Sequence, residues 1–515
     1  MIKQILRSMA LLVALAITKP AAAATTQVLV QANLSSSSMN FVCLLQGCHV
    51  TQVVNGSPGN FYVLSVSGWV NTQLLSNALL KTPGILNAVV LDASNSPLGS
   101  RYIVHTTGGL LNLPALCSLN LCHIIQPLDG GLNQVFLLGG PDNQDPNFLL
   151  AVLRATPGVL NVELDQIVNL ATGGAQATAP PPSLVDSTPV QYYGSTVWEG
   201  YVHQPATHII RLRHTQHTFN ATGSGIIADI DTGVDPNHPV LQPVLLPGYD
   251  FTRNQVGGSE MNDLPSGAPT TETPCVNCTP GQVNQHSIAM VDQHSIAMVD
   301  SPQYADFGHG TMVAGLLHLV APTASIMPLK AFGPDGTGNL SDIIRATYYA
   351  AQNHANVVNM SFDLATPSQE LATAVSWSEG QGTLFVASAG NDGQMKMVYP
   401  AGYTNVIGVA STNDQDQRSS FSNYGDQIVW VAAPGEAIVT TYPFGGYAAG
   451  WGTSFSAPMV SAEVNLFQVA QPNLTEAQAQ IYASQVQPLL AIGMGNGRLD
   501  LFRAVSAAQI VQDGF

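Results

Sequence analysis

An aspartate, a histidine and a serine, each close to a glycine, are the residues of this 515-residue chain whose types and surroundings could support nucleophilic catalysis. Asp231 ends the apolar run GIIADID, His309 lies between two glycines in DFGHGTMVAG, and Ser454 lies in GWGTSFSAP. A serine hydroxyl is a poor nucleophile at neutral pH, so it needs a base within hydrogen-bonding reach and an anion that fixes the tautomer of that base. Together the three residues could form such a system.

Each of the three motifs has a simpler explanation when it is taken alone. An aspartate is common in turns, a histidine between glycines can be an ordinary loop residue, and serine is a preferred helix N-cap. A helix N-terminus also offers N–H groups and a positive field, which suit a serine whose attack creates an oxyanion. The chain order Asp231, His309, Ser454 is one of the three orders in which catalytic triads occur, so the combination favours catalysis.

The segments around these residues predict the sheet that must position them. From residue 187 onward, short runs that are apolar throughout (ASIMPLKAF, ANVVNMSF, TLFVASAG) alternate with helical patterns (HGTMVAGLLHLV, DIIRATYYAAQNH). Such strands separated by helices indicate a parallel sheet covered on both faces. We therefore predict an α/β domain over residues 187–515, a doubly wound, mostly parallel sheet with helices on both faces. Asp231 should lie at its carboxyl edge, where active sites collect.

The blocks DTG, GHGT and GTSFSAP, with the closing segment GNGRLDLFRAV, make residues 187–515 resemble the subtilisin-like serine peptidases, or subtilases. The resemblance implies a serine endopeptidase that hydrolyses peptide bonds through an acyl-enzyme, with Asp231, His309 and Ser454 as its triad. It also implies that Asn391, in VASAGNDG, donates a hydrogen bond to the oxyanion. Removal of such a donor typically lowers turnover by about 10²–10³.

Two further segments resemble the substrate-binding strands of the subtilases. LKAFGPDGTGNLSDII implies that Gly336, Thr337 and Gly338 pair with an extended peptide. NVVNMSF implies that Ser361 and Phe362 form the opposite wall of the S1 cleft. Polypeptides are therefore the expected substrates.

Two acidic residues depart from the family pattern. Asp363 stands where the family usually has glycine, and a carboxylate there, helped by Asp392, could favour Lys or Arg at P1. Alternatively, Asp363 is solvated or paired inward and has no such role, since a charge helps only where it faces the pocket. Asp229 replaces a usual apolar residue two positions before Asp231. Because alternate side chains of a strand share a face, Asp229 needs a partner or a raised pKa.

The N-terminal third of the chain contains an internal repeat. CLLQGCHV begins at Cys43 and CSLNLCHI at Cys117, and the hexapeptides TPGILN and TPGVLN recur at the same offset of 74 residues. Shared spacing over that distance indicates two copies of one small domain. We predict two small α+β modules over residues 25–98 and 99–170.

Both modules resemble the ferredoxin-like prodomain of the subtilases, which assists folding and blocks the cleft. The Ala-, Pro- and Gly-rich residues 171–186 that follow indicate an exposed linker with the maturation site. The second module adjoins this linker, so we assign the inhibitory role to it. The first module is either a packing partner or an independent binding module. The resemblance thus predicts an autoprocessed zymogen that binds its own prodomain.

Residues 1–24 predict a cleaved signal peptide. Lys3 and Arg7 precede an apolar core, and Ala22-x-Ala24 is a plausible cleavage site. The core is too short for the alternative, a membrane anchor. We therefore expect a protein secreted to the extracellular or periplasmic space, with no membrane association after cleavage.

The six cysteines fall in three close pairs, and export to an oxidising compartment favours a disulfide within each. They are Cys43 and Cys48, Cys117 and Cys122, and Cys275 and Cys278. The alternative for the third pair is zinc, because its C-x-x-C spacing is typical of zinc sites. No second C-x-x-C in the sequence completes a four-ligand site, so no metal site is predicted.

The charge of the chain excludes one class of partner. It has 15 basic and 32 acidic side chains, a net charge of −17, and phosphate binding needs clustered Lys and Arg. Nucleic acid is therefore not an expected partner. The triad chemistry needs no cofactor. A structural calcium ion stays open, although no EF-hand-like spacing supports one. We expect a monomer.

The octapeptide QHSIAMVD occurs twice in succession, from Gln285 to Asp300, without a mismatch. Paired histidines and aspartates could bind a metal. However, the repeat lies in a turn-rich stretch between the Asp231 and His309 motifs, where extra length costs little. We therefore interpret it as a tolerated surface insertion, with His286 and His294 unsuited as the catalytic base.

Two other functions stay open at this point. Serine-carboxyl peptidases carry a GTSxSAP-like block but use a Glu/Asp pair and no catalytic histidine, and the GHGT block argues against them. A secreted binding protein could retain the fold without activity. Loss of a triad residue would be its signature, and the sequence has lost none.

Overall fold

The chain divides into two compact units, residues 1–165 and 166–515. The predicted signal peptide, Cys275 and Cys278 lie outside the residues that the structure describes. This structure is a computed structural model, and it describes residues 27–54, 60–66, 75, 78–91, 100–107, 117, 122–141, 145–170, 181–265, 288–290 and 302–512. Within these ranges no helix has the length and apolar character needed to cross a membrane.

The first unit contains two modules, each with a four-stranded antiparallel sheet. The first module consists of β1 (Gln27–Ala32), α1 (Ser36–Gln46), β2 (Cys48–Val54), β3 (Asn60–Val66) and β4 (Ile85–Leu91). The second consists of β5 (Arg101–Thr106), β6 (His123–Pro127), β7 (Val135–Gly139), α2 (Pro146–Arg154) and β8 (Val159–Leu164). The strand orders, β2-β3-β1-β4 and β6-β7-β5-β8, are the same.

Even the irregularities of the two sheets recur at the spacing of the sequence repeat. The pairing of β1 with β4 shifts register at Gln31/Ala32, and that of β5 with β8 shifts at His105/Thr106. The pairings of β2 with β3 and of β6 with β7 also shift register at equivalent positions. The internal repeat therefore extends from sequence to sheet topology and to β-bulges, which are specified features of a sheet.

The two modules differ in their cysteines. The predicted Cys43–Cys48 disulfide is wrong, because both cysteines are free and buried in the apolar core of the first module. Gly47 ends α1 in the left-handed conformation directly before β2, so the two thiols become neighbours. A hydrogen bond with the Cys48 side chain, together with burial, raises the pKa of Cys43, so Cys43 packs as a protonated thiol. Cys117 and Cys122 are bonded, as predicted.

The second unit is built from short strands and helices in alternation. Its strands are β9 (Ile167–Leu170), β10 (Pro189–Tyr192), β11 (Ser195–Trp198), β12 (Ile226–Asp231), β13 (Tyr249–Asp250), β14 (Gln255–Val256), β15 (Ile288–Met290), β16 (Ser325–Lys330), β17 (Thr337–Asn339), β18 (Val357–Met360), β19 (Phe362–Asp363), β20 (Leu384–Ser388), β21 (Ile407–Thr412), β22 (Val431–Pro434), β23 (Ile438–Tyr442) and β24 (Gly446–Gly450). Its helices are α3 (Glu199–Val202), α4 (Pro205–Ile209), α5 (Leu212–Phe219), α6 (His309–Val320), α7 (Leu340–Gln352), α8 (Gln369–Glu379), α9 (Thr453–Ala470), α10 (Glu476–Ala483) and α11 (Leu501–Gln512). Three 3₁₀ helices span Pro182–Val185, Glu260–Asp263 and Pro302–Tyr304.

An eight-stranded sheet of order β14-β13-β16-β12-β18-β20-β21-β22 forms the centre of the second unit. All its neighbouring strands are parallel except β13 and β14. Val357 and Val386 share a core cluster with α6 and α9, whereas the alternate residues Val358 and Phe385 are buried outside that cluster. Both faces of the sheet are therefore covered, and the predicted α/β fold is confirmed.

Two segments are more ordered than the sequence suggested. Leu184, within the predicted linker, is buried in the core cluster of the second unit. Residues Ile288–Met290 of the first octapeptide copy form β15, which extends the β23–β24 hairpin by pairing with β24. The rest of both copies lies outside the described residues. The insertion therefore contributes a strand at this point.

Candidate active site

The turns that carry Asp231 and His309 contact each other through glycines. β12 ends at Asp231, and α6 begins at His309, so each side chain is fixed at the end of a regular element. A Cβ on Gly310 would collide with the carbonyl of Gly233. A Cβ on Gly233 would lie 2.8 Å from the backbone N of Glu260. Only glycines allow this approach of backbones, which explains the glycines in both motifs.

The carboxylate of Asp231 contacts the imidazole of His309 with both oxygens. The distances from Nδ1 are 2.8 Å to Oδ1 and 2.9 Å to Oδ2, and both residues are buried. The backbone N–H of Thr232 also donates to Oδ1, at 2.6 Å. Burial lowers the pKa of His309, but Asp231 and the more distant carboxylates Asp306 and Asp229 raise it, with a net result of about 9. The contact fixes the ring with Nδ1 as donor and Nε2 directed elsewhere.

Ser454 is the second residue of α9 and lies close to this pair, because the ring of the next residue, Phe455, is 5.7 Å from that of His309. Its hydroxyl donates to the carbonyl of Ser361 at 3.2 Å, and the Ser361 hydroxyl donates to the Ser454 carbonyl at 3.0 Å. Among the described residues no hydrogen bond joins Ser454 to His309. The structure thus brings the three residues to one edge of the sheet, with the serine hydroxyl turned toward Ser361.

Asn391 lies at the N-terminus of α9. Its Oδ1 accepts from the backbone N–H and the hydroxyl of Thr453, both at 2.9 Å. Because Oδ1 is held there, Nδ2 turns to the other side of the amide, 3.3 Å from the Cβ position of Gly452. A side-chain donor and the start of a helix therefore meet beside Ser454, an arrangement suited to an anionic oxygen.

The two segments predicted to bind substrate flank a strand of the chain itself. β9 lies between β17 and β19 and is antiparallel to both. Gly336 accepts a hydrogen bond from Leu170 N at 2.9 Å, while Thr337 and Gly338 are paired within the β17–β9 ladder. Phe362 and Asp363 are paired within the β19–β9 ladder. Residues 167–170 therefore have the extended conformation and the pairing that were expected of a peptide substrate.

Asp363 and Asp392 differ in their surroundings. Asp363 is half-buried, and its Oδ2 lies 2.9 Å from the Cβ position of Gly390, beside Asn391. Burial, and then the charge of Asp392, raise the pKa of Asp363 to about 6. Asp392 is exposed and forms an ion pair with Lys396 at 2.8 Å. The charge of Asp392 is therefore partly balanced, and Asp363 is the carboxyl closer to the predicted S1 wall.

Asp229 has both a hydrogen-bond partner and a raised pKa, the two features considered for it from the sequence. It is buried on the same face of β12 as Asp231, and its Oδ1 accepts from Asn359 Nδ2 at 2.9 Å. Burial, and then the charge of Asp231, raise its pKa well above the ordinary value. Asn359 Nδ2 also donates to the Ser361 hydroxyl at 2.9 Å. Hydrogen bonds thus connect Asp229 through Asn359 to the serine that contacts Ser454.

Two residues of this site, Asn359 and Glu260, were not predicted from the sequence. Asn359 lies inside NVVNMSF, two positions before Ser361 on the same strand run, and period-two alternation could have found it. Glu260 lies in the Gly- and Ser-containing stretch GGSEMND, which has no periodic pattern. It is nevertheless fully buried beside the Asp231 and His309 turns. No group of three or more His, Cys, Asp or Glu side chains suited to a metal occurs among the described residues.

Comparison with known proteins shows which family this chain belongs to. Residues 223–490 match the model of the subtilase family. The chain is 31% identical to thermitase of Thermoactinomyces vulgaris over 298 residues, which cover 55% of this chain and 90% of thermitase. It is 33% identical to a thermophilic serine proteinase of Bacillus sp. (strain AK1), covering 52% of this chain and 57% of that protein. It is 36% identical to subtilisin BL of Lederbergia lenta, covering 33% of this chain and 66% of that protein.

A crystal structure of a cold adapted subtilisin-like serine proteinase matches with a TM-score of 0.43 and 26% identity, over 55% of this chain and 90% of that chain. The matched family and the named relatives define a serine endopeptidase on a parallel α/β sheet. The chain belongs to the subtilase family, so the resemblance seen in the sequence is confirmed.

Proposed function

We propose that this subtilase is a secreted endopeptidase, made as an autoprocessed zymogen, in which Asp231, His309 and Ser454 form the catalytic triad. Ser454 Oγ attacks the substrate carbonyl and transfers its proton to His309 Nε2, while Asp231 holds the Nδ1–H. Asn391 Nδ2 donates to the oxyanion. His309 then protonates the leaving amine, and water hydrolyses the acyl-enzyme. None of these steps needs a cofactor.

The observation that carries the proposal is the contact of both Asp231 oxygens with His309 Nδ1, at 2.8 and 2.9 Å. Ser454 must rotate its hydroxyl away from the Ser361 carbonyl to reach Nε2. Catalytic hydrogen bonds are often absent or long before a substrate is bound and form in the reactive complex, so this rotation is a required part of the proposal.

A fluorophosphonate probe, which reacts with an activated serine, tests the triad. We expect labelling of the processed wild-type protein at neutral pH and none of Ser454→Ala. A folded, processed wild-type protein that is not labelled would instead support the secreted binding protein.

The pH profile separates this proposal from the serine-carboxyl peptidases. His309 accepts a proton only when it is neutral, and its raised pKa of about 9 means that the neutral fraction grows as the pH rises. We expect kcat/KM on a peptide substrate to increase from neutral pH toward about pH 9. An optimum in the acidic range would favour the serine-carboxyl mechanism.

The zymogen part of the proposal is supported by β9, which occupies the predicted substrate position between β17 and β19. We infer that residues 166–170 end an inhibitory prosegment and that the chain cleaves itself within residues 171–200. Mass spectrometry should find an N-terminus in that range for the wild type and an uncleaved chain for Ser454→Ala. Secretion of a stable wild-type protein spanning residues 25–515 would contradict self-processing.

The position of Asp363 supports a preference for Lys or Arg at P1. We expect the wild-type enzyme to cleave peptides with Lys at P1 better than peptides with Phe at P1. This preference should be stronger above pH 6, where Asp363 is ionised. Asp363→Gly should lose this pH-dependent difference. Equal ratios of kcat/KM for wild type and variant would assign Asp363 no role in specificity.

A further inference from the structure

The 3₁₀ helix Glu260–Asp263 packs directly against the Asp-Thr-Gly turn after β12. The backbone N–H of Val234 donates to Gly258 O at 2.9 Å, and this close packing fully buries the Glu260 side chain. Its carboxylate lies where the turn after Asp231 meets the start of α6.

Glu260 accepts hydrogen bonds from both sides of that junction. On the α6 side, Gly308 N donates to Oε2 at 2.8 Å and the Thr311 hydroxyl donates to Oε1. On the β12 side, the Thr232 hydroxyl donates to Oε2 at 3.2 Å. Gly308 directly precedes His309, and Thr232 directly follows Asp231. One carboxylate therefore connects the immediate neighbours of both residues.

The directions of these bonds follow from the other partners of the two hydroxyls. The Thr232 hydroxyl oxygen already accepts from Gly310 N at 2.9 Å, and the Thr311 hydroxyl oxygen accepts from Asp235 N at 2.8 Å. Each hydroxyl is thus left to donate its proton to Glu260. All three contacts require an acceptor, and the ionised carboxylate, which predominates above the Glu260 pKa of about 8, has acceptors on both oxygens, whereas an amide has one acceptor and one donor.

The other end of the same 3₁₀ helix reinforces the arrangement. Asp263 accepts from Lys330 Nζ at 2.8 Å, and Lys330 is fully buried. Lys330 Nζ also donates to the Thr232 carbonyl at 2.8 Å. Thr232 is therefore held at its hydroxyl by Glu260 and at its carbonyl by the Asp263–Lys330 pair.

We propose that Glu260 is a positioning residue of this peptidase, which sets the distance and orientation between Asp231 and His309 by joining the turns that carry them. The proposal rests on the proposed triad and adds a residue outside the three motifs. Because the hydrogen bonds of Glu260 go to residues beside Asp231 and His309, its loss should affect the chemical step and leave peptide binding unchanged. A misplacement of about 1 Å in a catalytic group can cost about 10²-fold in rate.

The test compares Glu260→Gln with the wild type on a chromogenic peptide anilide, after processing. We expect kcat to fall by about 10–100-fold with KM within about twofold. The rate of fluorophosphonate labelling at Ser454 should fall in parallel. Thr311→Val should lower kcat in the same direction, and Thr311→Ser, which retains the hydroxyl, should restore it.

The matched control is Glu476→Gln, which makes the same change at another buried glutamate, in α10. We expect its kcat to equal that of the wild type, with melting temperatures measured for all variants. A folded Glu260→Gln enzyme with wild-type kcat would overturn the proposal, as would an equal loss in Glu476→Gln or a loss that appears in KM alone. Failure of the wild type itself to react with the probe would instead refute the triad.

Discussion

Two buried glutamates of the second unit have opposite surroundings. Glu260, at the carboxyl edge of the sheet, accepts from three donors that belong to the turns of Asp231 and His309. Glu463, in the middle of α9, is fully buried, and neither of its oxygens has a hydrogen-bond partner in the described part of the chain. Burial raises the pKa of both, to about 8 for Glu260 and well above the ordinary value for Glu463.

The difference shows that burial perturbs a carboxyl but does not by itself give it a role. Donors at the sheet edge partly offset the cost of burying the charge of Glu260 and make it part of a network with a definite geometry. For Glu463, burial and then the unfavourable charge of Asp500 raise the pKa. At the sheet edge, the cost of burying a carboxylate comes with a hydrogen-bond network of definite geometry. In the interior of α9, the cost of burying a carboxyl is not compensated by a hydrogen bond within the described residues.

The largest effect should come from Asp231→Asn, which breaks the network at the edge. An asparagine can present its amide N–H to His309 Nδ1 and so favour the wrong tautomer, and the equivalent change in a serine protease triad lowers kcat by about 10⁴. We expect a similar loss in hydrolysis of a peptide anilide. Asp414→Asn, on the surface, is the control and should be fully active. A kcat within tenfold of wild type for Asp231→Asn would show that Asp231 does not orient the base.

A smaller loss is expected for Asn391→Ala, which removes one donor at the same edge. The change should lower kcat by about 10²–10³ and leave KM nearly unchanged, because in the proposed mechanism this donor acts on the oxyanion that forms during reaction. Asn405→Ala removes an amide that donates to Ser376 and Glu379 of α8 and should have no such effect. A loss confined to KM would assign Asn391 to substrate binding.

In the interior of α9, Glu463→Leu should stabilise the protein. The folded-state pKa of Glu463 lies above the ordinary 4.5, so the wild type loses stability as the pH rises through and above that value. Replacing an uncompensated buried carboxyl by an apolar residue of similar size should raise the free energy of unfolding by about 2 kcal/mol at pH 8, and by less at pH 5.

Urea denaturation in a Ser454→Ala background, which prevents self-digestion, measures this difference. A Glu463→Leu protein that is less stable at pH 8 than its parent would reveal a partner for Glu463 and remove the contrast with Glu260.

The smallest effect should come from the octapeptide repeat, which belongs neither to the network at the sheet edge nor to the interior of α9. Deletion of residues 293–300 removes one octapeptide copy and leaves an identical copy to supply β15. We expect kcat within about twofold of wild type, since surface insertions tolerate changes in length. A large loss of activity would mean that the length of this insertion affects the candidate active site at the edge of the sheet.

Short-range patterns in the sequence predicted most of the second unit. The apolar run before Asp231, the glycines around His309 and the small residues before Ser454 encode strand and helix ends within a few positions, and β12, α6 and α9 follow them. The sequence predicts the residues that are thereby brought together because each motif defines one end of a regular element.

The same short-range patterns do not predict contacts between residues that are far apart in the sequence. Glu260 bonds to Gly308 and Thr311, 48 and 51 positions away, from a stretch without periodicity. β9 is four residues long, and nothing in its sequence indicates that it pairs with β17 and β19. The spacing of Cys43 and Cys48 equals that of the bonded pair Cys117 and Cys122, so only three-dimensional packing distinguishes free thiols from a disulfide.

β9 has a kinetic consequence for the proposed zymogen. Before cleavage it competes with substrates as part of the same chain, at an effective concentration that is millimolar for short tethers, so micromolar peptides would scarcely enter. After cleavage the same strand becomes a separate ligand whose occupancy falls on dilution. If the proposed zymogen is secreted, the onset of its activity should therefore depend on the volume into which the enzyme is diluted after its release.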